Sequence, residues 1–251
     1  MRVLVANDDG IEAAGIVTLR RALEEMGWEV YVAAPDRERS AAGHGITVHR
    51  PLRVREYVWG EKSRGWAVDG TPADCVKLAL EAFLPQPPDL VISGINLGPN
   101  LGTDVLYSGT VSAAFEGMIN GITAMAVSLA TYRDPDFQPA AAFMREFLPR
   151  VQEMSLPACT MLNINVPPGQ PQGIKMTRLG QRRYVNVFHR RTDPRGRDYY
   201  WMAGEVEETD NGPGTDMAAV NNHFVSITPL QCDLTDYHLL DALRDMENGK
   251  G

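Results

Sequence analysis

Apolar positions along this chain fall into short β-branched runs that alternate with stretches of helical spacing. Arg2 to Asn7 is a run of Val, Leu and Ala closed by Asp-Asp-Gly, which predicts a central parallel strand. Ile16, Leu19, Leu23 and Met26 then recur at helical spacing within Ile11 to Met26, and Gly27 stands where a helix C-cap belongs. Glu29 to Ala34 (EVYVAA) reads as a second strand stopped by Pro35. Strand, helix and strand within 35 residues predict a right-handed crossover unit. Ile46 to Val58 allows further strands or a hairpin, which Pro51 confines to a sheet edge.

The alternation continues. Thr71 suits an N-cap and Pro72 the first position of a helix running to about Phe83. Asp89 to Ile95 (DLVISGI) is a buried strand, Asn96 to Gly109 a Gly-rich loop, and Thr110 to Asn120 a helix. Ile122 to Leu129 and Thr160 to Val166 read as strands flanking a helix from Pro139 to Met154. The fold class expected is α/β, with a mostly parallel, doubly wound sheet over residues 1–173. Residues 174–251 read as a C-terminal extension. Ile174 to Trp201 is rich in Arg and Tyr without helical period, and RTDPRG (Arg191 to Gly196) looks like the turn of a long β-hairpin arm. Such an arm cannot bury both faces alone, so it is expected to pack on a neighbouring subunit. Phe224 to Thr228 adds a short strand and Tyr237 to Met246 a terminal helix.

Composition narrows the function. The chain has 251 residues, 44% hydrophobic and 22% charged, which suits a globular protein able to bury a core. A formal net charge of -8 argues against long nucleic acid as a partner. Cys75, Cys159 and Cys232 make no CxxC pair and are expected to be small core residues, which fits a reducing cytoplasm. The N-terminal run ends in acids too soon for a leader peptide, and no stretch approaches the roughly 18 apolar residues that a membrane span requires.

In an open parallel sheet, ligands bind beyond the carboxyl ends of the strands. The first strand ends in Asn7-Asp8-Asp9-Gly10, and two adjacent carboxylates are tolerable beside a cation, although the same residues also make a solvated turn. The second strand leads to a loop where Ser40 offers a hard oxygen, Arg37 and Arg39 offer phosphate partners, and His44, between glycines, could act as a general acid or bind a phosphate oxygen. The bland reading of Ser40 and His44 is a solvated surface. The loop after the Asp89 strand supplies Asn96, whose carbonyl oxygen suits a hard metal, and Ser108-Gly109-Thr110, which opens a helix where free N–H groups favour an anion. Simple helix capping explains the same serine and threonine. An all-oxygen set without a His/Cys cluster suits Mg2+ or Mn2+ better than zinc, and the chemistry implied is metal-assisted hydrolysis of a phosphate ester.

Five segments in order resemble the SurE family of stationary-phase survival proteins, metal-dependent 5′/3′-nucleotidases: NDDG (7–10), PDRERSA (35–41), GTPADCV (70–76), SGINLGPNLGTDVLYSGTVSAA (93–114) and VSITPL (225–230). The resemblance covers nearly the whole chain. It implies a Rossmann-like fold and one divalent metal ion per subunit, held by Asp8, Asp9, Ser40 and Asn96. It implies phosphate contacts from Ser108, Gly109 and Thr110 with Asn100 nearby, and hence Asp8, Asp9, Asn96 and Ser108 as the catalytic set. It also implies hydrolysis of nucleoside 5′- and 3′-monophosphates, with short polyphosphate as a further substrate in some members, and a homodimer or homotetramer that exchanges C-terminal arms.

Rival readings fare worse. A receiver domain shares the acidic pair but needs an acid at the end of its third strand, where this chain reads SGIN. A haloacid-type phosphatase needs two Asp two residues apart, and residue 10 is Gly. Neither GxGxxG after the first strand nor a P-loop is present. A nucleotide-binding module without turnover stays open, and release of inorganic phosphate separates it from an enzyme.

Overall fold

The computed structural model describes residues 1–60, 63–154, 156–157, 160–185 and 187–247. A nine-stranded sheet forms the centre, in the order β3-β4-β2-β1-β5-β6-β7-β13-β8. Its parallel heart is β4 (Ser63–Val68), β2 (Glu29–Pro35), β1 (Arg2–Ala6), β5 (Leu90–Leu97), β6 (Ala124–Leu129) and β7 (Thr160–Val166). β3 (Val54–Val58) lies antiparallel at one edge, as Pro51 foretold, and β13 (Val225–Gln231) runs antiparallel to β7. The strand order reverses at β1, with β2 on one side and β5 on the other. This is the switch point at which open α/β sheets leave a crevice.

Two helical layers cover the sheet. On one face α1 (Ala14–Glu25) and α4 (Gln138–Gln152) pack together. Ile16, Leu19 and Leu23 of α1 are almost fully buried there, each contributing about 2 kcal/mol through removal of apolar surface from water. α1 lies so close to β5 that a Cβ on Gly15 would stand 1.9 Å from the Ile95 carbonyl oxygen. On the other face lie α2 (Pro72–Leu78), continued by a π-helical turn (Ala79–Phe83), and α3 (Gly109–Ile119). Val, Leu and Ala alternate between the two cores along β1: Val3 and Val5 face α1, while Leu4 and Ala6 face α2 and α3. By the same alternation Asp8 belongs to the α3 face.

The C-terminal segment departs from expectation in detail. β8 (Ile174–Met176) is not part of the hairpin but pairs parallel with β13 at the edge of the main sheet, because its backbone groups find an unpaired edge there. The arm itself is longer than residues 174–201. Its root pairs β9 (Gln181–Val185) with β12 (Glu205–Asp210), and its tip pairs β10 (Phe188–Thr192) with β11 (Asp198–Met202) around the 193–197 turn. A short α5 (Asp216–Asn221) and the terminal α6 (Tyr237–Glu247) complete the chain. Cys75 is buried as expected; Cys232 is exposed, since it follows β13 past the edge of the core; Cys159 lies outside the described residues. Among the described residues no helix is long and apolar enough to cross a membrane.

Candidate active site

The acidic pair stands at the end of β1, beside the end of β5, since Ala6 pairs with Ser93. Asn7 closes the turn by bonding through its amide to both the N–H and the carbonyl of Gly10. Asp9 Oδ2 accepts the Leu97 N–H at 3.2 Å, which ties the pair to the strand end carrying Asn96. The Asn96 Nδ2 donates to the Gly98 carbonyl at 2.8 Å, leaving its Oδ1 as the atom free to face a ligand. Two chain crossings predicted to converge therefore do converge.

α3 completes the third side. Ser108 is its N-cap, accepting the Val111 N–H at 3.0 Å, and its hydroxyl proton is still available to an acceptor. Asp8 sits against this helix terminus. Thr110 donates its hydroxyl to Asp8 Oδ1, so in this arrangement Thr110 serves the carboxylate rather than an incoming anion. A Cβ on Gly109 would stand 2.8 Å from Asp8 Oδ2, so glycine is what lets the carboxylate reach the helix end.

Loop 36–47 closes over the pair. The Arg39 N–H donates to the Asp8 carbonyl at 2.8 Å, which places this loop directly on the turn. The far end of the loop is held by the α2 capping box: Thr71 and Asp74 bond reciprocally, Asp74 Oδ1 also takes the Thr47 N–H, and Thr71 donates to the Gly45 carbonyl. Ser40 is exposed, with its hydroxyl donated to Glu38 at 2.8 Å. Arg37 is exposed beside Asp36, and Arg39 leans on Asp36 at 3.7 Å.

The remaining two predicted contacts, His44 and Asn100, have protein partners of their own. His44 Nε2 bonds Glu116 Oε2 at 3.0 Å, and Glu116 is seven residues along α3 from Gly109, about 10 Å up the helix axis. That nitrogen is thus aimed at the body of α3, where Glu116 also pairs with Lys77 at 3.1 Å. Asn100 is buried: its N–H bonds Asn165, its carbonyl accepts from Asn163 and Asn165, and its Nδ2 donates to Ser128. It braces the loop from beneath.

Electrostatics single out the pair. Burial pushes the Asp8 carboxyl up, outweighing the Thr110 hydrogen bonds that lower it. Burial, and then the charge of Asp8, push Asp9 up to about 6. Glu38, which the residue pattern did not single out, adds negative charge to both. Among the described residues neither Asp8 nor Asp9 takes part in an ion pair. Two adjacent carboxylates, Asp8 buried and Asp9 half-buried, without a cationic partner form a site that favours a cation.

The similarities point one way. A family model described as "Survival protein SurE" matches residues 3–186. The 5'-nucleotidase SurE of Pelotomaculum thermopropionicum is 63% identical over 248 residues, covering 98% of this chain and 95% of that protein. That of Desulforudis audaxviator is 60% identical, covering 97% and 96%. The crystal structure of SurE from Aquifex aeolicus superposes with a TM-score of 0.83 at 40% identity, covering 98% of this chain and all of that one. With a family model that matches more than half of this chain and relatives this similar end to end, the chain belongs to the SurE family.

Proposed function

We propose that this protein is a divalent-metal-dependent phosphomonoesterase that hydrolyses nucleoside monophosphates, 5′ and 3′ esters alike, to nucleoside and phosphate. The observation that carries this reading is the uncompensated carboxylate pair, Asp8 and Asp9, set against the N-terminus of α3. The relatives' names, 5'-nucleotidase, supply the substrate class.

The donor set fits a hard cation. Asp8 and Asp9 would hold it, with the Asn96 Oδ1, and with Ser40 once its hydroxyl turns from Glu38. A bound Mg2+ or Mn2+ would supply Lewis-acid stabilisation of phosphoryl charge and a more acidic water. The chain's own residues do the positioning. The Ser108 hydroxyl and the Gly109 N–H, at the positive end of α3, face the phosphoryl oxygens. Thr110 holds Asp8 in place, and the Arg39 N–H bond pins the covering loop to the acidic turn. Assembly through the arm belongs to the same reading: Phe188, Tyr200, Trp201 and Met202 at its tip are all exposed by more than half.

The test is phosphate release from a panel of nucleoside 5′- and 3′-monophosphates, short polyphosphate and sugar phosphates, with Mg2+, Mn2+ or EDTA. Nucleotides are hydrolysed with either metal and not in EDTA. Hydrolysis untouched by exhaustive chelation refutes the metal. Nucleotide binding without any release favours the binding-module reading instead.

A further inference from the structure

The root of the arm grips the loop that sets the phosphate cradle. Arg182 of β9 donates to Asp104 Oδ2 at 2.8 Å, and Tyr184 of β9 donates to Asp104 Oδ1 at 2.7 Å. Arg182 also reaches Glu208 of β12 at 3.3 Å, so both root strands share the grip. Its carbonyl accepts the Thr103 hydroxyl at 2.6 Å. The Arg182 and Asp104 side chains are each only 14% exposed, unlike most ion pairs of this molecule. One carboxylate locks the same junction from below. Asp216, fully buried at the start of α5, takes the N–H of Gly102 at 2.7 Å and that of Gly180, the residue before β9, at 2.9 Å.

What is gripped matters. Asp104 lies in the 3-10 helix Gly102–Leu106, and its backbone carbonyl accepts the N–H groups of Tyr107 at 3.0 Å and Ser108 at 3.1 Å. Ser108 is the N-cap of α3. The chain of contacts is therefore continuous: arm strand, Asp104 carboxylate, Asp104 carbonyl, Ser108, cradle. Asp104 makes no hydrogen bond or ion pair with Asp8 or Asp9 among the described residues, so this route meets the phosphate side of the site first and reaches the cation side only one step further on, through Thr110 and Asp8.

From this geometry we propose that Arg182 and Tyr184 are positioning residues for phosphoryl binding: by fixing Asp104 they hold Ser108 where it meets the phosphate, and they weigh far less on cation affinity, which the route reaches only through Thr110 and Asp8. The inference rests on the nucleotidase reading for the identity of the anion. A structural prop alone would lower stability without separating the two ligands.

Calorimetry on the full chain reads the separation directly, using Mn2+ alone and then inorganic phosphate at saturating Mn2+, beside nucleotide kinetics and thermal melts. Arg182→Met raises the phosphate Kd and the nucleotide KM together by about tenfold, the loss typical of a hydrogen bond to a charged group. Its Mn2+ affinity stays within about twofold of wild type. Arg182→Lys falls between the two. Tyr184→Phe, at a half-exposed position whose loss spares the fold, shifts phosphate in the same direction by a smaller factor. Wild-type phosphate affinity in both Arg182→Met and Tyr184→Phe, in a protein that hydrolyses nucleotides normally, overturns the inference and leaves the nucleotidase reading intact. Equal losses of Mn2+ and phosphate affinity overturn it as well. A wild-type protein that neither binds phosphate nor releases it defeats the nucleotidase reading, and the inference with it.

Discussion

Replacing Gly109 by alanine puts one methyl group between α3 and the acidic turn. Its carbon would lie 2.7 Å from Asp8 Cβ, 2.8 Å from Asp8 Oδ2 and 3.0 Å from Pro72 Cγ. Comfortable carbon contacts begin near about 3.5 Å, so roughly 0.8 Å of separation must be found. Asp8 leaves a central strand and Pro72 opens a capped helix, so neither backbone yields easily; the displacement falls on the Asp8 carboxylate and the first turn of α3. A misplacement on the order of 1 Å costs about a hundredfold in rate, equivalent to about 2.7 kcal/mol of transition-state stabilisation. The fold is spared, because alanine is a better helix former than glycine by about 0.5–1 kcal/mol, which offsets part of the strain. The assay is kcat/KM for a nucleoside 5′-monophosphate across a Mn2+ titration, beside a thermal melt. The expected result is a hundredfold loss and weaker metal dependence at a melting temperature close to wild type. Gly109→Ala with wild-type kinetics would refute the claim that this close approach positions Asp8.

Two further outcomes follow from contacts away from the acids. The Glu116 carboxyl is held below its ordinary value of 4.5, by the His44 hydrogen bond first and by Lys77 further down, against burial. A carboxyl depressed in the folded state stabilises fully above the ordinary carboxylate range and loses that contribution as pH falls through its folded value. The melting-temperature gap between wild type and Glu116→Gln is thus widest near neutral pH and narrows below about pH 4; a gap constant across that range removes the ionic contribution. Replacing the arm tip, residues 188–202, by an Asn-Gly turn keeps the paired Val187 and Ala203 and the gripping root. Light scattering should then show a smaller particle with phosphate affinity unchanged, and an unaltered mass excludes the tip as the assembly element.

The sheet was legible where strands are buried on both faces. RVLVA, EVYVAA and TMLNINV are nearly continuous apolar runs, and chain order with right-handed crossovers does the rest. β4 went unseen because Ser63, Arg64 and Gly65 break the apolar run before Trp66, and α5 because six residues carry too little period. The ends of β1 and β5 were legible as candidate positions because ligands gather beyond the carboxyl ends of parallel strands, although Asp-Asp-Gly makes a solvated turn equally well. What could not be read was pairing at long range. That Asp216 bonds Gly102, that Arg182 bonds Asp104 and that His44 bonds Glu116 depends on separations of 114, 78 and 72 residues. A buried carboxylate that accepts backbone N–H groups looks, in sequence, like any helix-opening Asp.

A crystal soaked with Mn2+ and inorganic phosphate, with data collected at the manganese absorption edge, tests the central claim most directly. The anomalous peak should fall between the Asp8 and Asp9 carboxylates and the Asn96 Oδ1, with phosphate oxygens over Ser108 and Gly109. A peak elsewhere, or an ion bound while phosphate avoids the α3 terminus, contradicts the account.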